Sequence, residues 1–455
     1  MNEEYLLNND ISKTLFHVFA EKMPIIDFHN HLCVHDLSMN RQYENIAELW
    51  VKSDPYKHRA MRICGIDEKY ITGAAADREK FRAWLSVLPK LVGNPLYDWS
   101  VLEMKRVFGI EFEPDRADAD RLWQETGALL KEADYRAGGI LDRFRVEYAA
   151  PCTEIDNELE AFKNQKNLAP SLRSDRLMEG SEICIRKLEQ AADMEIQSLE
   201  DYFKAIAKRL DAFEQAGCRF SDHALDNGFS YFGDDGNNPK RFDALRRGEK
   251  LKIEDRRYFA SAVLRFLAGE YAERGWTMQL HIGAQRFTSS RLRALAGGEG
   301  GFAGIGNCCS VESVTSMLDD FEKGEKGLPA ILLFTLNPSD NAVMSVLSGS
   351  YTRPGASGWV QQGTAWWWCD HIQGMRQVFE TISAFGVLSV FLGMTTDSRS
   401  LLSFVRHEYF RRVLCGWLGE KIQRGEIIAP AESIGQLVEN ICYWNIKRRL
   451  NGAET

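Results

Sequence analysis

Eight short runs of apolar and β-branched residues recur along the chain, each ending in polar residues. They are PIIDFH (24–29), RVEYAAP (145–151), LAPSLRSD (168–175), CRFSDH (218–223), TMQLHIG (277–283), AILLFTLN (330–337), GWVQQG (358–363) and SVFLGMTTD (389–397). Most are continuous rather than alternating, the pattern of parallel strands buried on both faces. Amphipathic stretches separate them. In 198–217, Leu199, Phe203, Ile206, Leu210 and Phe213 recur at helical spacing and Gly217 ends the run. Residues 255–275 and 400–419 repeat the design, the latter with Ser400 as an N-cap. Strand–helix alternation of this kind predicts an α/β fold, a (β/α)₈ TIM barrel.

One interval breaks the rhythm. Between the first two strands the chain reads only as short helices, in NIAELW, PYKHRAMRICG, DREKFRAWLSVLPKLVG and LYDWSVLEMKRVFG. The expected organisation is an N-terminal helix and strand one in 1–35 and an all-helical insertion capping the barrel in 36–143. The remaining barrel, with C-terminal helices, is expected in 144–455. The apolar C-terminal stretch IGQLVENICYWNIKRRL reads either as a contact in a homo-oligomer or as a barrel cover.

Composition narrows the function. The 455 residues are too many for one small domain and suit either two or three domains or one large α/β barrel with an insertion, and 44% hydrophobic with 27% charged residues is an ordinary globular balance. A net charge of −9 argues against nucleic-acid or anionic-membrane partners. The first twenty residues are polar and mixed in charge, unlike a signal peptide. Ten scattered cysteines without a C-x-x-C pair are expected to be reduced cytoplasmic thiols.

Chemistry in such a barrel sits at the C-terminal strand ends. His29 and His31 end strand one two residues apart, so both rings point the same way and can reach one divalent metal. The bland reading is two hydrogen-bonded core histidines. Asp397 ends strand eight and offers a third ligand or a general base; alternatively it caps the helix near Ser400. Arg399, two residues on, and Arg286 after strand five offer a grip on an anion. Arg173 and Asp175 follow strand three. His281 ends strand five as a ligand or a donor to substrate. Asn337 and Asp340 read equally as turn residues. Among Trp366, Trp367 and Trp368, one or two can stack on a sugar. Strand four ends without a Lys and strand six without a His, which weakens two-metal hydrolysis on the same barrel.

These motifs resemble the uronate (glucuronate) isomerases, an outlying branch of the amidohydrolase superfamily. The likeness runs through DFHNHL, YKHRAMRICGIDEKYITG, LHIGAQR, LNPSDN, GTAWWWCD and GMTTDSRSLLSFVRHEYFRR. It implies a (β/α)₈ barrel with a helical insertion after strand one. It also implies conversion of D-glucuronate to D-fructuronate and of D-galacturonate to D-tagaturonate through a cis-enediol. The metal, commonly zinc, would sit between His29, His31 and Asp397; manganese, iron or cobalt suit the same donors. Tyr56 would take part in proton transfer. Arg399 would hold substrate, with Arg173 or Arg286 competing for the carboxylate and His281, Trp366 and Trp367 as further contacts. The chain departs from the family at Pro55, where a substrate-contacting His is usual, at His58, where Trp is usual, and at Ser174, where Pro is usual. Either His58 or His35 restores the lost contact, or the enzyme acts on another sugar acid or hydrolyses a lactone or amide.

Overall fold

The computed structural model describes residues 2–452 apart from 164 and 299. Seven of the eight apolar runs become strands of one parallel sheet. They are β1 (Ile25–Asn30), β2 (Val146–Glu154), β3 (Ser171–Arg173), β4 (Phe220–Leu225), β5 (Thr277–Ile282), β8 (Ala330–Thr335) and β9 (Val360–Gln362), paired in that order. A short antiparallel ribbon, β6 (Ala284–Gln285) with β7 (Gly304–Ile305), stands in the connection after β5. Every residue of β1, β5 and β8 is buried, as continuous apolar runs demand. The sheet curls as a TIM-like barrel does.

The eighth run behaves differently. Residues 388–390 form a 3₁₀ turn and 391–397 carry no strand ladder. The expected strand is therefore corrected, and the reason is chemical. Side-chain oxygens take the places that ladder carbonyls would hold. On one flank, Gln361 of β9 accepts from Leu392 N (3.2 Å). On the other, the Asp27 carboxylate of β1 accepts from the backbone N–H and the hydroxyl of Thr396 (both 2.7 Å). Thr395 Oγ1 accepts from His29 N (2.8 Å). Two backbone bonds finish the seam, Asp397 N to His29 O (3.0 Å) and His31 N to Ser398 O (2.8 Å). Gly393 makes the closure possible: its φ is +80°, and a Cβ there would lie 2.2 Å from Ile441 O.

Inside the sheet, Ile26, Phe28, Phe220, Leu332, Phe334 and Leu392 pack as one cluster, with Phe28 and Phe220 stacked at 5.6 Å. Tyr443 and Ile446 join the same cluster, and Asn445 Nδ2 donates to Ser389 O and Phe391 O (both 2.8 Å). The C-terminal segment thus covers the barrel floor. Helices Leu199–Gln215, Ile253–Arg274 and Val311–Lys323 bury a second cluster against β4, β5 and β8. Between β1 and β2 the described residues form only helices and turns. Trp50, Phe81, Trp84 and Leu102 from this interval share a core with Phe379, Phe410 and Val413.

Burial pushes the Asp27 carboxyl up, but His407 and the Thr396 donors outweigh it and hold it below its ordinary range. Asp27→Ala should therefore leave several buried donors unpaired and cost more than about 3 kcal/mol in urea unfolding. A loss under about 1 kcal/mol would show that the seam is held by other means.

Candidate active site

The seam delivers the first three groups. The extended backbone of β1 and the residue after it turns both rings the same way, and Asp397 meets them from the adjoining segment. Asp397 Oδ1 lies 3.1 Å from His29 Nε2 and 3.1 Å from His31 Nε2. Asp397 has φ +48°, a left-handed conformation costly for a residue with a Cβ. Its other oxygen, Oδ2, accepts from the Trp366 indole N–H (3.0 Å). Burial raises the Asp397 carboxyl, yet the two imidazoles bring it well below its usual range.

His29 is used on both sides. Its Nδ1 faces Cys152 Sγ at 3.5 Å, and Cys152 Sγ lies 3.6 Å from Asp222 Oδ2. Asp222 Oδ1 is 2.7 Å from His281 Nδ1. Burial works against a charged His29, but Cys152, Asp222 and Asp397 raise it well above its usual value. Burial, then the positive His29, lowers His281. Groups that could hold a metal ion include the partly buried His29–His31–Cys152 and the buried His29–Asp222–His281. Within the second group, Arg173 Nε stands 4.0 Å from Asp222 and opposes a cation there. The His29–His31–Asp397 set, two nitrogens and an oxygen converging under cover, fits a divalent ion.

The walls complete the site. One cavity of about 70 Å³ collects His29, His31, Tyr56, Arg173, His281, Arg286, Trp366, Trp367, Asp397 and Arg399. Arg173 is held by Asp175 (3.1 Å), and Arg286 by Asp226 (2.7 Å) while lying over the Trp367 ring (5.2 Å). His281 stacks on Phe334 at 4.7 Å. Tyr56 arrives on helix Pro55–Ile63, where Asp54 caps Tyr56 N (2.9 Å) and Lys57 N (3.3 Å) and Pro55 takes the first position. Gly301 (φ +77°) presses on this corner: a Cβ would sit 2.2 Å from Pro55 O. The Tyr56 hydroxyl is buried and has no hydrogen-bond partner among the described residues. Burial, and then Asp397, holds it protonated far above its usual range.

Several expectations are corrected. His58 is not brought to the cavity. It lies two residues beyond Tyr56, about 200° round the helix, and bonds Val51 O at 2.9 Å. His35 is exposed on another helix. Neither replaces a contact at Pro55, which does line the cavity. Ser174 turns away and bonds His223. Asn337 caps Ser339 N (3.1 Å) and Asp340 accepts from Cys309 N (3.0 Å), so both follow the turn reading. Trp366 serves first as a holder of Asp397. Asp222 and Cys152 were not expected. The signal for Asp222 was present, since CRFSDH places an acid within β4 at the register of Arg173.

The family model described as glucuronate isomerase matches residues 1–449. A uronate isomerase of Bacillus licheniformis is 38% identical over 98% of this chain and 96% of its own length. One from Salmonella paratyphi B is 39% identical over 98% of both chains. The solved uronate isomerase of Thermotoga maritima superposes with a TM-score of 0.91 at 29% identity, covering 99% of both chains. The glucuronate isomerase of Caulobacter crescentus gives 0.90 at 20% identity over 99% and 97%, a likeness of fold.

Trp366→Phe keeps the ring and removes the N–H that holds Asp397 Oδ2. Metal titration should show a tenfold to hundredfold weaker site, on the order of other losses behind a ligand; unchanged affinity would mean that the indole only fills space. Burial brings His58 down to about 4. The unfolded ring titrates near 6.5, so stability is level above about pH 6.5 and falls as the unfolded chain takes up a proton below it. In urea unfolding between about pH 7 and pH 5, His58→Gln should flatten that acid slope.

Proposed function

The chain belongs to the glucuronate isomerase family, and from that premise we propose how its residues divide the work. The reaction class is aldose–ketose isomerisation of uronates. Our reading is conversion of D-glucuronate to D-fructuronate and of D-galacturonate to D-tagaturonate, in cytoplasmic hexuronate catabolism. The observation that carries it is Asp397 Oδ1 between two imidazoles, on a cavity that also receives Tyr56 and three arginines.

His29, His31 and Asp397 would hold the divalent ion, zinc by preference, since two imidazoles and a carboxylate suit it. When bound, the ion supplies Lewis acidity that eases loss of a substrate hydroxyl proton. Arg399, Arg173 and Arg286 bind the substrate carboxylate and fix which carbon faces the proton-handling groups. Asp397, ionised, accepts the hydroxyl proton and passes it to the C1 oxygen; ionised again, it takes the C2 proton, which leaves a cis-enediol. Tyr56, protonated, gives its proton at C1 and is reprotonated from Asp397. Trp366 keeps Asp397 aimed, and Trp367 offers a ring face to the sugar.

We read the whole architecture as a (β/α)₈ barrel with residues 36–143 as a helical insertion over the site. Pro55 and Tyr56 in the cavity wall support that reading. Pro55 also favours a second reading, a shifted substrate preference, because its side chain offers no hydrogen bond and no neighbouring histidine takes its place.

Metal-loaded protein offered D-glucuronate and D-galacturonate separately should form the ketose, identified by NMR. Turnover of at least one confirms the isomerase site with proline at this corner. Turnover of neither, by folded and metal-loaded protein, would move the substrate to another sugar acid.

A further inference from the structure

Behind the wall formed by Tyr56 and Trp366 lies a second, much smaller cavity. Its volume of about 10 Å³ is the room of a single water. Tyr56, Thr364, Asp370, Thr396 and Asp397 are among the residues that bound it. Three of them carry a buried oxygen with no hydrogen-bond partner among the described residues, Tyr56 Oη, Thr364 Oγ1 and Asp370 Oδ1, and His281 Nε2 on the same cavity also lacks one. Buried polar atoms are rarely left unpaired, and three around one water-sized space are the usual signature of an internal water.

Asp370 is tied to Tyr56 by a second route. The Arg406 guanidinium lies over the Tyr56 ring at 4.7 Å and over the Trp99 ring at 4.1 Å. Its Nη1 donates to Thr396 O (2.9 Å) and stands 3.4 Å from Asp370 Oδ2. That is long for a charge-assisted pair, which normally closes to about 2.7–2.9 Å. Arg406 engages only Oδ2, and at a long distance, so Oδ1 is left for another partner. Burial pushes this carboxyl up to about 7, with Arg406 pulling against it and Asp397 adding to it.

The position is rigid. Asp370 N bonds Trp367 O (3.0 Å) across a 3₁₀ turn entered through Trp367 at φ +48°. The next helix, Ile372–Phe385, presses on that turn at Gly374, where a Cβ would fall 1.9 Å from Cys369 O.

We propose that Asp370 is a positioning residue for the reaction: through one buried water shared with Thr364, it fixes the direction of the Tyr56 hydroxyl. The water donates to Asp370 Oδ1 and accepts from Tyr56 or Thr364. Asp370 does not line the substrate cavity, so its effect belongs in kcat and not in KM. The inference rests on Tyr56 as the proton donor described above.

Metal-loaded wild type, Tyr56→Phe, Asp370→Leu, Asp370→Asn, Thr364→Val and the Tyr56→Phe/Asp370→Leu pair would be compared for kcat, KM and metal content. Asp370→Leu should lose about tenfold to a hundredfold in kcat, part of what a positioned acid contributes, with KM within about threefold and metal content unchanged. Asp370→Asn, which keeps an oxygen for the water, should stay within about fivefold of wild type. In the Tyr56→Phe background, Asp370→Leu should cost nothing further. Should Asp370→Leu fail to fold, Thr364→Val tests the same water and should lower kcat at constant KM. Losses that multiply in the pair, wild-type kcat in Asp370→Leu or Thr364→Val, or Asp370→Asn as poor as Asp370→Leu would overturn the proposal. If Tyr56→Phe keeps full activity, the role given to Tyr56 fails first and this inference with it. If Tyr56→Phe loses activity while Asp370→Leu keeps wild-type kcat, only the inference fails.

Discussion

The bonding of Asp27 to Thr395 and Thr396 is the constraint on which the site depends. β1 carries His29 and His31, and the neighbouring segment carries Asp397. Neither element positions a metal-binding set by itself. Their relative height is set by a fully buried carboxylate that accepts from the Thr396 backbone and hydroxyl, with Thr395 Oγ1 at 3.0 Å. A regular ladder would join the same two segments, but it would keep the backbone extended through Asp397. With side chains supplying the acceptors, the backbone is free to enter the left-handed region there, and the carboxylate swings in between the two rings.

A comparable economy holds the opposite wall. The helix that presents Tyr56 begins over a set of buried ions. Lys57 Nζ donates to Trp50 O (2.8 Å) and lies 3.2 Å from Asp54 and 3.4 Å from Glu103. Asp54 also caps the helix, so one carboxylate both balances a buried lysine and fixes the first turn. Buried ions are expensive unless each is paired and hydrogen-bonded. Here their return is geometric: the corner that bears Tyr56 cannot slide without breaking several of these bonds at once.

What was legible in the sequence followed from short-range periodicity. Continuous apolar runs marked seven parallel strands, and a His-x-His at a strand end placed two rings on one side because extended chain has a period of two. The eighth run had the same composition but not the same structure, because Asp27 and Gln361 act on it from other strands. Periodicity cannot see that. His58 was misjudged through nearness in sequence to Tyr56, when helical rotation separates them. Asp222 stands inside β4, and its tie to Arg173 of β3 is a cross-strand contact that periodicity does not show. Asp370 and Arg406 lie in GTAWWWCD and GMTTDSRSLLSFVRHEYFRR, but nothing local gives them a role; their meaning comes from Tyr56, more than three hundred residues away along the chain.

The seam has a consequence in time. Its two sides, Asp27–His31 and Thr395–Ser398, stand at opposite ends of the chain and are joined by contacts spanning 366 to 369 residues. The ribosome releases one side long before the other exists. Through most of synthesis His29 and His31 stay without the carboxylate that completes their set, and β1 is an open edge. Long-range pairing of this kind closes late. The proposed metal set therefore forms late: a chain that stops short of residue 397 retains both histidines but lacks the carboxylate proposed to join them.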